Sequence, residues 1–249
     1  MDYLQTQFGL SGKTALITGA SRGLGRAAAQ ALSSAGATVV LVGRDASALE
    51  ETKSAMSSEA TIVEADVTSA SDRERVFASM ERVDVLVNNA GIIRRNPVLQ
   101  YTKEDWDAVI SADLTAVFEW SQDAAMRMKE SGGGKIINVA SILSFFGGIN
   151  VVAYAAAKGG VAQLTKEMAN ELAKYNIAVN AIAPGYFNTD ATEQLRKNSE
   201  RMNALLSRIP MGRFGNPEEL AGAFVFLASK ASDYVTGEIV VVDGGFRVY

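Results

Sequence analysis

The 249-residue sequence contains no cysteine and no histidine. Without cysteine there is no disulfide, no thiolate nucleophile and no Cys-ligated metal, and any redox compartment is permitted. Without histidine a Ser-His-Asp triad, an imidazole base and the usual zinc sites are excluded, so no metal is expected. Acid–base chemistry near neutral pH is then left to a tuned carboxylate, a tyrosine or a lysine. Prolines number only four. No Pro/Ser-rich linker, charge run or low-complexity tract divides the chain, so residues 1–249 read as one domain with a sizeable core. No apolar run approaches the roughly 20 residues that span a bilayer, and Met1–Leu10 lacks the basic-then-apolar pattern of a signal peptide. The expectation is a cytoplasmic protein with no membrane partner. A formal net charge of -4 leaves no basic footprint for nucleic acid.

Short apolar, β-branched runs recur along the chain: Thr14–Thr18, Thr38–Val42, Thr61–Glu64, Val83–Val87, Lys135–Val139, Ala178–Ile182 and Glu238–Val242. Most lack polar alternation, as strands buried on both faces do. Helical patterns separate them, over Arg22–Ala35, Ala46–Ser57, Ser71–Met80, Lys103–Lys129, Val151–Tyr175 and Pro217–Leu227. This order predicts an α/β Rossmann fold, a doubly wound seven-stranded parallel sheet with helices on both faces. Residues 186–214 break the alternation. They are polar, carry Arg196, Lys197, Arg201 and Arg208, and read either as a helical lid over one end of the sheet or as a static surface excursion.

The first strand runs straight into Gly19-Ala-Ser-Arg-Gly23-Leu-Gly25, and a helix follows. In that setting the glycines permit a tight turn, close approach to a pyrophosphate, and packing of helix on strand. The helix N-terminus offers free N–H groups and its positive dipole end. At the end of the second strand, where an acidic residue would accept from a ribose 2′-hydroxyl, stands Gly43-Arg44 instead, with Arg22 in the glycine loop. Two arginines suit a 2′-phosphate, so NADP(H) is favoured. NAD(H) stays open, because both arginines also read as solvated surface residues and Asp45 stands beside Arg44.

Tyr154 and Lys158, four residues apart on a helix, share one face. A tyrosine near its ordinary value of about 10 is a poor base. A neighbouring ammonium and an oxidised nicotinamide both favour phenolate and are expected to lower that value. Ser141 follows the fifth strand's carboxyl end, where ligands bind in open α/β sheets. Its hydroxyl is placed to hold a substrate oxygen.

The spacing Thr18-Gly19-x-x-x-Gly23-x-Gly25, the order Ser141…Tyr154-x-x-x-Lys158, Asp66-Val67, Asn88-Asn89-Ala90-Gly91, and Pro184-Gly185 followed by Thr189 resemble the classical short-chain dehydrogenase/reductase family. The likeness runs from Gly12 to about Phe246. It implies an enzyme that moves a hydride between nicotinamide and a secondary alcohol or ketone, with Ser141, Tyr154 and Lys158 catalytic. It implies cofactor contacts from Gly19, Ser21, Arg22, Gly23, Leu24 and Gly25 at the phosphates and ribose, and from Asp66 and Val67 at the adenine. Asn88, Ala90 and Gly91 would line the cofactor. Pro184, Gly185, Phe187 and Thr189 would hold the nicotinamide, and Lys158 its ribose. Asp113 stands where the family often has an asparagine that supports a water chain to the lysine, which adds a negative charge near Lys158.

Several stretches, among them Asn88–Arg95, Ser141–Ile149 and Ile182–Tyr186, resemble the bacterial 2-deoxy-D-gluconate 3-dehydrogenases and gluconate 5-dehydrogenases. That implies a sugar-acid substrate such as gluconate or 2-deoxygluconate. Arg94 and Arg95 are candidates for its carboxylate, or are solvent-facing or at a subunit contact. The alternatives are a 3-ketoacyl thioester or other ketone reductase, for which Phe145 and Phe146 offer apolar surface, and a non-catalytic nicotinamide-binding redox sensor. Alanines such as Ala155, Ala156, Ala157 and Ala162 on the Tyr154 helix permit close helix packing, and with the family resemblance they suggest a homotetramer.

Overall fold

Each central strand is apolar on both sides of its pleat, and two helical layers take the two sides. In a computed structural model, which describes residues 2–56 and 58–248, Ala15, Ile17, Val85 and Val87 pack on one face of the sheet and Leu16 and Leu86 on the other. Side chains one residue apart point oppositely, so a strand without polar alternation must be covered twice.

The strands are β1 (Thr14–Thr18), β2 (Thr38–Gly43), β3 (Ala60–Glu64), β4 (Val85–Asn88), β5 (Gly134–Val139), β6 (Ile177–Pro184) and β7 (Ile239–Val242). They form one parallel sheet in the order β3-β2-β1-β4-β5-β6-β7. The order reverses between β1 and β4, which opens a crevice beyond their carboxyl ends.

The helices are α1 (Tyr3–Phe8), α2 (Gly23–Ser34), α3 (Ala46–Ser54), α4 (Ala70–Ala78), α5 (Lys103–Ile110), α6 (Ala116–Glu130), α7 (Val152–Leu172), α8 (Asp190–Arg196), α9 (Ser199–Leu206) and α10 (Ala221–Ala228). Leu32 of α2 and Phe224 and Leu227 of α10 cover one face, and Phe77 of α4 with Trp120 and Met128 of α6 covers the other. Each such buried side chain contributes roughly 1.5–3 kcal/mol.

The expected strands and helices are present, with differences at their ends. The sequence pattern carries the helix Ala46–Ser57 past Ser54, where α3 ends; Ser57 lies outside the described residues, as do Met1 and Tyr249 at the ends of the 1–249 span. The helix expected over Lys103–Lys129 is interrupted by a wide π turn, Ser111–Thr115, between α5 and α6. Short helix α1 was not anticipated; it buries no residue. Residues 186–214 do form helices, α8 and α9. A bridge between Phe187 and Gly215 closes the base of the excursion, and Ile209 and Phe214 seat it on Ile142 and Phe246. No helix among the described residues is long and apolar enough to cross a membrane.

Candidate active site

The crevice at the strand-order reversal is a cleft of about 1060 Å³. Its floor is the glycine loop. Gly19 and Gly23 take positive φ, 65° and 56°, where a Cβ is unfavourable. A Cβ on Gly19 would also lie 2.8 Å from the Ala90 Cα. Gly25 does not line the cleft. It lies behind the loop, where a Cβ would stand 2.2 Å from the Gly19 carbonyl oxygen, so its part is close packing. Arg22 ends the loop without capping α2 by its side chain, which leaves first-turn N–H groups in need of an acceptor. A pyrophosphate fits that need and the helix dipole.

At the adenosine end Arg44 and Asp66 face each other at 3.7 Å, and Arg22 meets Asp190 of α8 at 3.3 Å. Asp45 caps α3 through the Ala48 N–H at 3.0 Å, leaving Arg44 to the cleft. The Asp66 carboxylate accepts from the Thr68 N–H and hydroxyl at 2.9 and 2.7 Å. Burial opposes its charge, but those bonds and Arg44 hold it below the usual aspartate range. Val67, Ala90, Gly91 and Thr189 also line the cleft.

Asn88 does not. Its amide is buried and donates to Ser121 Oγ at 2.8 Å and Asn138 Oδ1 at 2.9 Å. It shares a strand face with Leu86, towards α6, so the expected cofactor contact of its side chain is replaced by a core bond. The next residue, Asn89, lines the cleft, and its amide ties the glycine loop down by donating to the Thr18 and Gly19 carbonyls at 3.1 and 3.0 Å.

Tyr154 and Lys158 reach the inner end of the cleft from α7. Lys158 is 3 % exposed, and its ammonium donates to the Val139 carbonyl at the end of β5 at 2.9 Å. It lies 5.5 Å from the centre of the Tyr154 ring. Across from it, Asp113 is fully buried, with Oδ2 3.4 Å from Lys158 Nζ and Oδ1 accepting the Ile92 N–H at 2.7 Å. Burial raises the Asp113 carboxyl above the usual range, against the pull of Lys158. Burial raises the Tyr154 phenol. The Lys158 ammonium pulls it down, as expected, but is outweighed, and Asp113 adds to the rise.

A second cavity of about 170 Å³ adjoins the first and is lined by Ser141, Tyr154, Pro184, Gly185, Phe187 and Thr189. Ser141 Oγ accepts the Leu143 N–H at 3.1 Å, so its hydroxyl proton is free to point elsewhere. The neighbouring Ser144 hydroxyl donates to the Lys158 carbonyl at 2.7 Å and fixes that turn against α7.

The two candidate arginines part company. Arg94 is 57 % exposed at the rim, its Nε 3.7 Å from Asp105. Arg95 is partly buried and lines both cavities. Arg201 of α9, which sequence reasoning had not singled out for the site, lines the inner one. Burial and the Arg201 charge both disfavour the Arg95 cation. Tyr186 stands among Arg95, Arg201 and Arg208, its phenol raised by burial against their pull. Among the described residues no group of acidic side chains is placed to hold a metal ion.

A family model described as enoyl-(acyl carrier protein) reductase matches residues 19–247. The 2-dehydro-3-deoxy-D-gluconate 5-dehydrogenase of Dickeya dadantii is 46% identical, over 96% of this chain and 97% of its own. The gluconate 5-dehydrogenase of Gluconobacter oxydans is 42% identical over 97% of each chain. The crystal structure of a gluconate 5-dehydrogenase from Burkholderia cenocepacia in complex with NADP and tartrate superposes with a TM-score of 0.93. That protein is 37% identical, and the match covers 99% of this chain and 100% of the other. With this family match, these identities and the Tyr154–Lys158 pair at the sheet's crevice, the chain belongs to the short-chain dehydrogenase/reductase family of oxidoreductases.

Proposed function

We propose that this chain is an NADP(H)-dependent oxidoreductase that interconverts a secondary alcohol and a ketone on a small sugar acid of the gluconate class. The observation that carries the substrate class is Arg95. A partly buried cation beside a second cation, with a 3.4 Å bond to the Ala191 carbonyl and no carboxylate in ion-pair range among the described residues, lacks a counter-charge. An anion between Arg95 and Arg201 relieves both the burial and the repulsion. The names of the relatives, and tartrate in one of them, point to the same chemistry.

The cleft fits a dinucleotide phosphate. The glycine loop and the start of α2 take the pyrophosphate, Arg22 and Arg44 the 2′-phosphate, Asp66 and Val67 the adenine, and Lys158 the nicotinamide ribose. When bound, the nicotinamide accepts or supplies the hydride. NAD(H) would leave Arg22 and Arg44 with only their exposed acidic neighbours.

The protein's own work is proton transfer and positioning. Ser141 donates to the substrate oxygen and holds it near the Tyr154 hydroxyl. In reduction that hydroxyl gives its proton to the oxygen as the carbonyl becomes an alcohol. In oxidation the phenolate takes the proton back. Residues 186–214, carrying Arg201, act as the substrate lid of a single domain. Phe118 and Met126, exposed on α6 on either side of Gln122, offer apolar contacts for a second copy, in keeping with a homotetramer.

The test is an initial-rate panel with NADP⁺ and NAD⁺ against gluconate, 2-deoxygluconate, neutral polyols and simple alcohols, with 3-ketoacyl thioesters under the reduced cofactors. Sugar-acid turnover is expected, abolished in Tyr154→Phe. Arg95→Gln should raise KM for the acid roughly 10- to 100-fold with little change for a neutral polyol. Turnover of thioesters alone would discard the sugar-acid reading and keep the proton chemistry.

A further inference from the structure

Among the described residues, one buried side-chain oxygen has no hydrogen-bond partner, and it is Asp113 Oδ2. The surroundings make room for it deliberately. Gly91 faces it, and a Cβ there would lie 2.6 Å away. The π turn Ser111–Thr115 carries the residue, and such turns mark places where a helix departs from its regular course. Oδ1 already satisfies the Ile92 N–H at 2.7 Å, a task an amide oxygen performs equally well. The second oxygen is therefore what needs explaining. It faces the Lys158 ammonium at 3.4 Å at the inner end of the cleft, where the two side chains are 0 % and 3 % exposed. A buried carboxylate is retained only with a counter-charge.

We propose that Asp113 is a positioning residue of the proton-transfer machinery, the counter-ion that fixes the Lys158 ammonium in its seat and offsets the field that ammonium casts on Tyr154. The inference rests on the reading of Tyr154 and Lys158 as the acid–base pair. Lys158 alone presents a positive charge to the phenol and favours its ionised form. Lys158 with Asp113 presents a nearly neutral pair. The phenol then keeps its proton to higher pH, which suits donation to a carbonyl. The other charged and titratable groups of this cluster are Arg94, Arg95 and Tyr101 from the segment after β4 and Asp105 from α5. Arg95 is the one among them that also favours the phenolate.

The test is Asp113→Asn, which keeps the bond to Ile92 and removes the charge. The readout is the ultraviolet signature of tyrosinate in cofactor-free protein, taken as the difference from the same background carrying Tyr154→Phe. The Tyr154 midpoint should fall by about one pH unit, the low end of what a neighbouring charge does. The acid limb of kcat for alcohol oxidation should move down with it. Asp113→Ser serves if the asparagine variant fails to fold. In the native protein, carbon-13 NMR of labelled aspartate should show Asp113 ionised at neutral pH. An unmoved Tyr154 midpoint, or a protonated Asp113 in the native protein, overturns the proposal. If Tyr154→Phe itself keeps full turnover, the acid–base reading falls instead, and the two failures are separate.

Discussion

Lys158 Nζ donates to the Val139 carbonyl oxygen at 2.9 Å, so the helix that carries Tyr154 is tied to the end of an interior strand by a buried charge. Lys158→Met keeps most of the side-chain volume and removes the ammonium. Turnover should fall roughly 10²- to 10⁴-fold, the usual worth of positioned acid–base catalysis. It should also strand the Asp113 carboxylate, at a cost of about 3 kcal/mol. The double variant Lys158→Met, Asp113→Asn should regain most of the lost melting temperature and none of the turnover. A single variant as stable as the native protein would mean the two charges are not a pair.

The fold was readable because its signals are redundant. β1, the glycine loop and α2 follow one another without a gap, and strands such as β4 and β5 carry apolar residues on both faces. The break at Ser111–Thr115 was not readable. A single wide turn leaves the apolar pattern of Val109, Ala116, Val117 and Trp120 looking like one helix. Asn88 and Asn89 could have been told apart. Two-residue alternation from Leu86 puts Asn88 under α6 and leaves Asn89 for the cleft. Arg94 and Arg95 could not, because their segment has no periodicity to say which side faces in. Arg201 was one of several cations on the 186–214 excursion, and only the packing of α9 over the inner cavity selects it. The raised Tyr154 phenol depends on burial and on Asp113, neither of which the Tyr-x-x-x-Lys spacing reveals.

Cofactor choice turns on two arginines that already have partners. Arg44 faces Asp66 at 3.7 Å and Arg22 faces Asp190 at 3.3 Å, with Asp66 partly exposed and the other three side chains well exposed. Exposed pairs contribute about 0–1 kcal/mol, less than charge-assisted bonds to a phosphate at about 1.5–3 kcal/mol each. Exchange of Asp66 for a 2′-phosphate is therefore favourable. Arg44→Asp should weaken NADPH binding roughly 10- to 100-fold and leave NADH nearly unchanged, measured by fluorescence titration. Equal losses for both cofactors would remove Arg44 from the 2′-phosphate site.

Stability towards acid should depend on a carboxylate far from the active site. Asp84, 4 % exposed, receives Lys13 at 3.1 Å, the Thr14 N–H at 2.9 Å and Arg82. Burial pushes its carboxyl up, but the Thr14 amide, Arg82 and Lys13 together outweigh that and hold it below the ordinary value. A carboxyl depressed in the folded state adds stability that is fully present above its unfolded value of about 3.9 and is lost as pH falls through the folded value. Asp84→Asn should therefore cost about 2 kcal/mol at neutral pH, roughly 5 °C in melting temperature for a chain of this size. The gap between variant and native protein should close as pH drops below about 4. Melting curves at neutral and acid pH check both parts. A gap that stays constant with pH would assign the loss to packing at the foot of β1 and β4 rather than to the charge.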